Sequence, residues 1–122
     1  MSEIFQQDRN ARRCEPPASG SMATDTRQLP WQPSGTDGFW IRPLLADARA
    51  GHKTWLMKID AGAFAPLHEH AELEQIYVLE GSFYDQERSY EPGDFIVRAP
   101  GTRHTAGSRE GAIVLLVYQP AV

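Results

Sequence analysis

Turn-forming residues punctuate this chain so closely that little regular structure other than short strands fits between them. Asp37-Gly38, the block from Ala46 to Gly51, Gly62, Gly81, Pro92-Gly93, Pro100-Gly101 and the block from Gly107 to Gly111 recur along the chain, mostly at intervals of roughly a dozen residues or fewer. No segment carries an apolar period of 3.6 over a useful helical length. The segments between the turns read instead as strands. Phe39 to Arg42 is a short one, stopped by Pro43. From Lys53 to Asp60, Trp55, Met57 and Ile59 fall on one face and Lys58 and Asp60 on the other, the pattern of a half-buried strand. Ser82 to Asp85, Asp94 to Arg98 and Ala112 to Tyr118 complete the set, the last apolar on both faces. Such a run of short strands makes an all-β sandwich or barrel.

Chemistry concentrates in the stretch from Gly62 to Gly81, GAFAPLHEHAELEQIYVLEG. His68 and His70 stand two residues apart, so in a strand they share a face. At ~3.3 Å rise per residue their Cα atoms are about 7 Å apart. Two imidazoles at that separation can lean onto one ion, because metal–nitrogen bonds run about 2.0–2.1 Å. Glu74 is in phase with Ile76 and Val78, which sends its carboxylate inward among apolar side chains. A lone charge there is costly and a cation compensates it. Glu72 shares the parity of Glu74, and periodicity alone does not separate the two.

The spacing of Gly62, His68, His70, Glu74 and Gly81 resembles the first signature motif of the cupin family. The stretch GDFIVRAPGTRH, Gly93 to His104, is similar to the second, with Gly93, Gly101 and His104 at the family's intervals. Two positions depart from it: the proline falls one place late, at Pro100, and Ser108 stands where asparagine is usual. The resemblance covers about residues 38 to 119 and implies a cupin jelly-roll, the double-stranded β-helix barrel. It selects Glu74 over Glu72 and adds His104, giving a ligand set of His68, His70, Glu74 and His104 for one divalent metal ion. That set suits Zn, Fe, Mn or Ni alike. It also implies a homodimer. Glu69, between the two histidines, is expected to point away from the ion.

At 122 residues the chain makes one domain, taken as 29–122, after a polar N-terminal arm at 1–28 that is either flexible or docked on the barrel or a partner subunit. The net charge of −4 argues against nucleic acid or an anionic membrane as partner, and Arg9, Arg12 and Arg13 are too sparse to reverse that. The single Cys14 forms no intrachain disulfide, and neither a signal peptide nor a membrane-length apolar run is seen, so a cytoplasmic location is expected. His52 lies in turn chemistry outside both motifs and reads as an exposed loop residue. Trp55, Phe64, Tyr77, Phe83, Phe95 and Tyr118 read as core, and Arg98 and Arg103 as solvated, with one of them alternatively facing an anionic ligand beside the metal.

From Val78 to Gly111 the sequence looks closer to one branch of the family, the cupin domain of ChrR-type anti-sigma factors, and shares a general pattern with small single-barrel dioxygenases. Two functions are thereby implied. One is a metal-dependent dioxygenase acting on a small enolisable or aromatic ketone, with Glu74 as both ligand and catalytic base. The other is a zinc-binding sensory or ligand-binding cupin without turnover. In either, a dication with one carboxylate favours a small anionic ligand.

Overall fold

The computed structural model describes residues 4–8 and 14–121; Arg9, Arg12 and Arg13 lie outside the described residues. Ten strands follow in chain order: β1 (Gln32–Pro33), β2 (Phe39–Asp47), β3 (His52–Ile59), β4 (Phe64–Glu69), β5 (Leu73–Gly81), β6 (Phe83–Tyr84), β7 (Ser89–Tyr90), β8 (Phe95–Arg98), β9 (Arg103–Gly107) and β10 (Ala112–Gln119). Thr26–Gln28 forms a single 3-10 turn and no α-helix occurs among the described residues. None of those residues makes a helix long and apolar enough to cross a membrane.

Two antiparallel sheets face each other. One has six strands in the order β1-β2-β3-β10-β5-β8, the other four in the order β4-β9-β6-β7. β10 is the middle of the larger sheet, paired with β3 on one side and β5 on the other. Its alternation shows why: Ala112, Val114, Leu116 and Tyr118 are buried, while Ile113, Leu115 and Val117 are half-buried on the outer face. The inward residues of β2, β3, β5 and β10 form one core with Phe83 and Ala106 of the smaller sheet. This is the jelly-roll that the turn spacing and the two motifs call for.

Glycine is required at one motif position. Gly81 has φ +70°, and a Cβ there would run into the carbonyl of Gly111, where β5 hands over to the next sheet. Ser108 has a comparable task in the second motif. Its hydroxyl donates to the Ser82 carbonyl at 2.6 Å and accepts from the Gly111 N–H at 2.8 Å, tying two turns together.

Three strand expectations are corrected. β2 does not stop at Pro43 but runs to Asp47. β1 pairs only with Trp40 and Ile41, so Pro43 lies beyond that pairing, and the register against β3 shifts between Pro43 and Leu45. His52 is half-buried and opens β3 rather than sitting in a loop. Of the six aromatics expected in the core, Trp55, Phe83 and Tyr118 are there, but Phe64, Tyr77 and Phe95 are about half exposed. Tyr77 alternates with the inward Ile76 and Val78, and Phe95 faces it across the β5–β8 pair, so both stand on the outer surface.

Candidate metal centre

β4 and β9 pair so that His68 lies directly opposite His104. A register shift between Ala65 and His68 carries two outward residues, Pro66 and Leu67, between two inward ones, Ala65 and His68. His70 follows the end of β4, where its carbonyl accepts the Gly101 N–H at 2.7 Å and ties the two motif loops together. Glu74 comes from the opposite sheet. On β5 it is flanked by Tyr118 of β10 and Arg98 of β8 in the strand register. The site therefore lies between the sheets, at one end of the core.

All three histidines are buried, and their ligand nitrogens lie within 4.8 Å of one another. Glu74 is outside that tight group but against it, with Oε2 at 3.5 Å from His70 Nε2 and Oε1 at 3.6 Å from His104 Nε2. The outer nitrogens fix the tautomers. His68 Nδ1 donates to the Pro66 carbonyl at 2.7 Å and His104 Nδ1 to the Thr105 carbonyl at 3.0 Å. A carbonyl only accepts, so each Nε2 is left as a lone pair aimed inward, the arrangement metal-binding imidazoles adopt. Burial, and then the positive charge of Arg98, push the His104 pKa down to about 3, which keeps that ring neutral. His104 Nε2 makes no hydrogen bond, and it faces a carboxylate oxygen. Two acceptors aimed at each other are unfavourable until a cation lies between them. These residues fit a divalent metal ion.

Arg98 is where the structure departs most from the solvated reading. It is buried, with Nε at 3.3 Å from Glu74 Oε1 and Nη2 at 3.0 Å from Asp85 Oδ2. Asp85 is itself held by the Tyr90 hydroxyl at 2.7 Å and by the N–H groups of Glu87 and Arg88. Burial raises the Asp85 pKa, but the hydrogen bonds from Tyr90, Glu87, Arg88 and Arg98 outweigh it and leave the pKa lowered. The Tyr90 hydroxyl is pushed up to about 12 by burial and by its bond to Asp85. One guanidinium thus spans two buried carboxylates, one of them at the histidines. Arg103, by contrast, is exposed.

The remaining candidates separate cleanly. Glu72 is half-buried and pairs with Lys53 at 3.5 Å. Glu69 is half-buried opposite Arg103. His52 lies outside the histidine group. Sequence reasoning missed Phe5, which is buried with its ring edge-on to His68 at 5.6 Å between centroids and stacked near His70 at 6.5 Å. It also missed Tyr118 as a neighbour of the site, 5.1 Å from His70.

A family model described as the ChrR cupin-like domain matches residues 19–122. No significant match was found among curated proteins. Solved structures share the fold. An RmlC-like cupin protein from Ralstonia eutropha JMP134 is 23% identical at a TM-score of 0.74, over 83% of this chain and 69% of that one. The polyketide cyclase RemF from Streptomyces resistomycificus is 21% identical at 0.70, over 82% and 80%. The anti-sigma ChrR, in its complex with Rhodobacter sphaeroides SigE, is 23% identical at 0.63, and the match covers 76% of this chain and 51% of that one. The family match spans most of the sequence and includes both histidine motifs: this chain belongs to the ChrR cupin-like family.

Proposed function

We propose that the chain is a mononuclear metal-binding cupin in which His68, His70, His104 and Glu74 hold one divalent ion. The observation that carries this reading is the buried convergence of three imidazole nitrogens within 4.8 Å. Bound there, such an ion supplies a Lewis acid and, as iron, a redox centre for dioxygen. The chain's own residues do the rest. Met57, Ile76, Phe83 and Leu116 line the cavity beside Glu74 and His104 and keep bulk water out. Arg98 offsets the Glu74 charge, so the ion and its ligands retain a net positive balance that favours a small anionic ligand. Glu74 Oε2, on the side away from Arg98 Nε, takes a proton from the ligand.

The reaction we propose is dioxygenase cleavage of a small enolisable or aromatic ketone, by a cytoplasmic homodimer with neither nucleic acid nor membrane as partner. A polyketide cyclase among the structural neighbours is in keeping with a carbonyl-bearing substrate on this fold. The second reading, a zinc-bearing sensory or ligand-binding cupin without turnover, is favoured by the ChrR match and by a site cavity of only about 20 Å³. One experiment decides between them. Anaerobic reconstitution with Fe(II) is expected to give oxygen uptake with a β-diketone or a hydroxylated aryl ketone, and Glu74→Ala to abolish it. Protein that carries stoichiometric zinc and stays inert with iron across that panel would establish the sensory reading.

A further inference from the structure

The N-terminal segment supplies one wall of the metal centre. Phe5 is 4% exposed, packed on Phe39 at 5.1 Å between centroids and over the rings of His68 and His70. Anchors hold the chain on both sides of it. The Ile4 carbonyl accepts from Thr36 Oγ1, and the Gln6 N–H donates to the Ser34 carbonyl at 2.7 Å. Gln7 Oε1 accepts from Trp55 Nε1 at 3.3 Å, and the Asp8 N–H donates to Gln32 Oε1 at 3.2 Å. Phe5 is the one fully buried side chain among the described residues of this segment, with Ile4 half-buried against the same core.

With Phe5 in that seat, the cavity that reaches Glu74, His104 and Tyr118 measures about 20 Å³. That is room for one water molecule. Three larger cavities among the described residues, about 320–370 Å³, are lined by none of the three histidines. An organic ligand of even four or five heavy atoms exceeds that cavity while the ring is there.

We propose that Phe5 is the specificity-determining roof of the metal centre: seated, it limits the site to water-sized ligands, and a small organic ligand enters only when it withdraws. This rests on the metal reading above and deepens it, since the open site, and not the seated one, is what a ketone would meet. The apparent affinity for an organic ligand is then reduced by the fraction of chains whose roof is open. A minor state of that kind is populated at about 0.1–10%.

The test uses the full chain loaded with Co(II), titrated with acetohydroxamate and followed by visible absorption. Phe5→Ala is expected to bind acetohydroxamate about tenfold or more tighter than the parent, the inverse of the open fraction. Phe5→Leu, which keeps an apolar side chain without the span of the ring, shifts the affinity in the same direction by less. Ile41→Ala removes buried volume from the same core without uncovering an imidazole, and is expected to keep the parent affinity. Equal affinities for the parent and both Phe5 variants would overturn the roof while leaving the metal centre standing. So would an equal gain in Ile41→Ala, which would mark general loosening of the barrel. Failure of the folded parent to take up Co(II) at all would overturn the metal reading and this inference with it.

Discussion

On the inner face of β5, Ile76 and Val78 join an apolar core with Ile41, Met57, Ala112 and Val114, whereas Glu74, two residues earlier on the same face, meets His70, His104 and Arg98. The first region stabilises the fold by itself, since each apolar side chain removed from water contributes roughly 1.5–3 kcal/mol. The second draws on that stability. It buries two carboxylates, a guanidinium and three imidazoles, and a buried ion pair seldom repays its desolvation against an apolar replacement. Such a cluster is a poor source of stability for a barrel of this size. The cost is explained if the polar end exists to hold an ion.

That contrast can be broken by substitution. The largest effect expected is at Arg98. Arg98→Met leaves Glu74 and Asp85 buried without their shared cation, and should cost about 3–5 kcal/mol in urea unfolding of the metal-free protein. A loss under ~1 kcal/mol, as for exposed pairs, would mean that the two carboxylates do not depend on the guanidinium.

Next comes the metal itself. At a zinc concentration about a hundred times its Kd, the parent should gain about 2.7 kcal/mol. Ile41→Ala should start lower, by about 2–5 kcal/mol, yet gain the same increment, because its defect lies in the apolar region. His68→Ala should gain almost nothing. An equal zinc increment in all three would erase the distinction between the two ends.

Tyr90→Phe should be milder, at about 1.5 kcal/mol, the lower end for a hydrogen bond to a charged group. Asp85 keeps its backbone donors from Glu87 and Arg88 and its contact with Arg98. Thermal unfolding of this variant beside Arg98→Met would show whether the network fails at its rim or at its centre.

The remaining effect is graded with pH and grows only as the solution is acidified. His104 is neutral when folded down to about pH 3, whereas an unfolded histidine takes up its proton near 6.5. The unfolded chain therefore binds more protons between those values. The stability of the metal-free protein should be full above about pH 6.5 and fall towards pH 3, by at most about 1.4 kcal/mol per pH unit from this group. In His104→Gln that part of the slope should disappear. Bound metal should resist acid below pH 6.5 and then be released as protons compete for the imidazoles.

Much of this was legible in the chain. Parity with Ile76 and Val78 turned Glu74 inward, and the same parity places Tyr77 outside, although its aromatic character suggested core. Arg98 shares a face with Ile96, so its inward direction could be read from β8 alone. Its partners could not, because the Glu74–Arg98 pairing depends on the register of β5 against β8 across two intervening strands. Phe5 carries no local signal at all. It sits in a polar segment and gains its meaning only from Phe39 and the two histidines, distant in sequence, that it covers.

The most direct test of the central claim is metal content, measured by elemental analysis of untagged protein after incubation with zinc or iron and gel filtration. The parent and His52→Ala should each retain one divalent ion per chain, and His68→Ala should retain almost none. Equal metal content in His68→Ala and His52→Ala would contradict the assignment of His68, His70, His104 and Glu74 as the metal site.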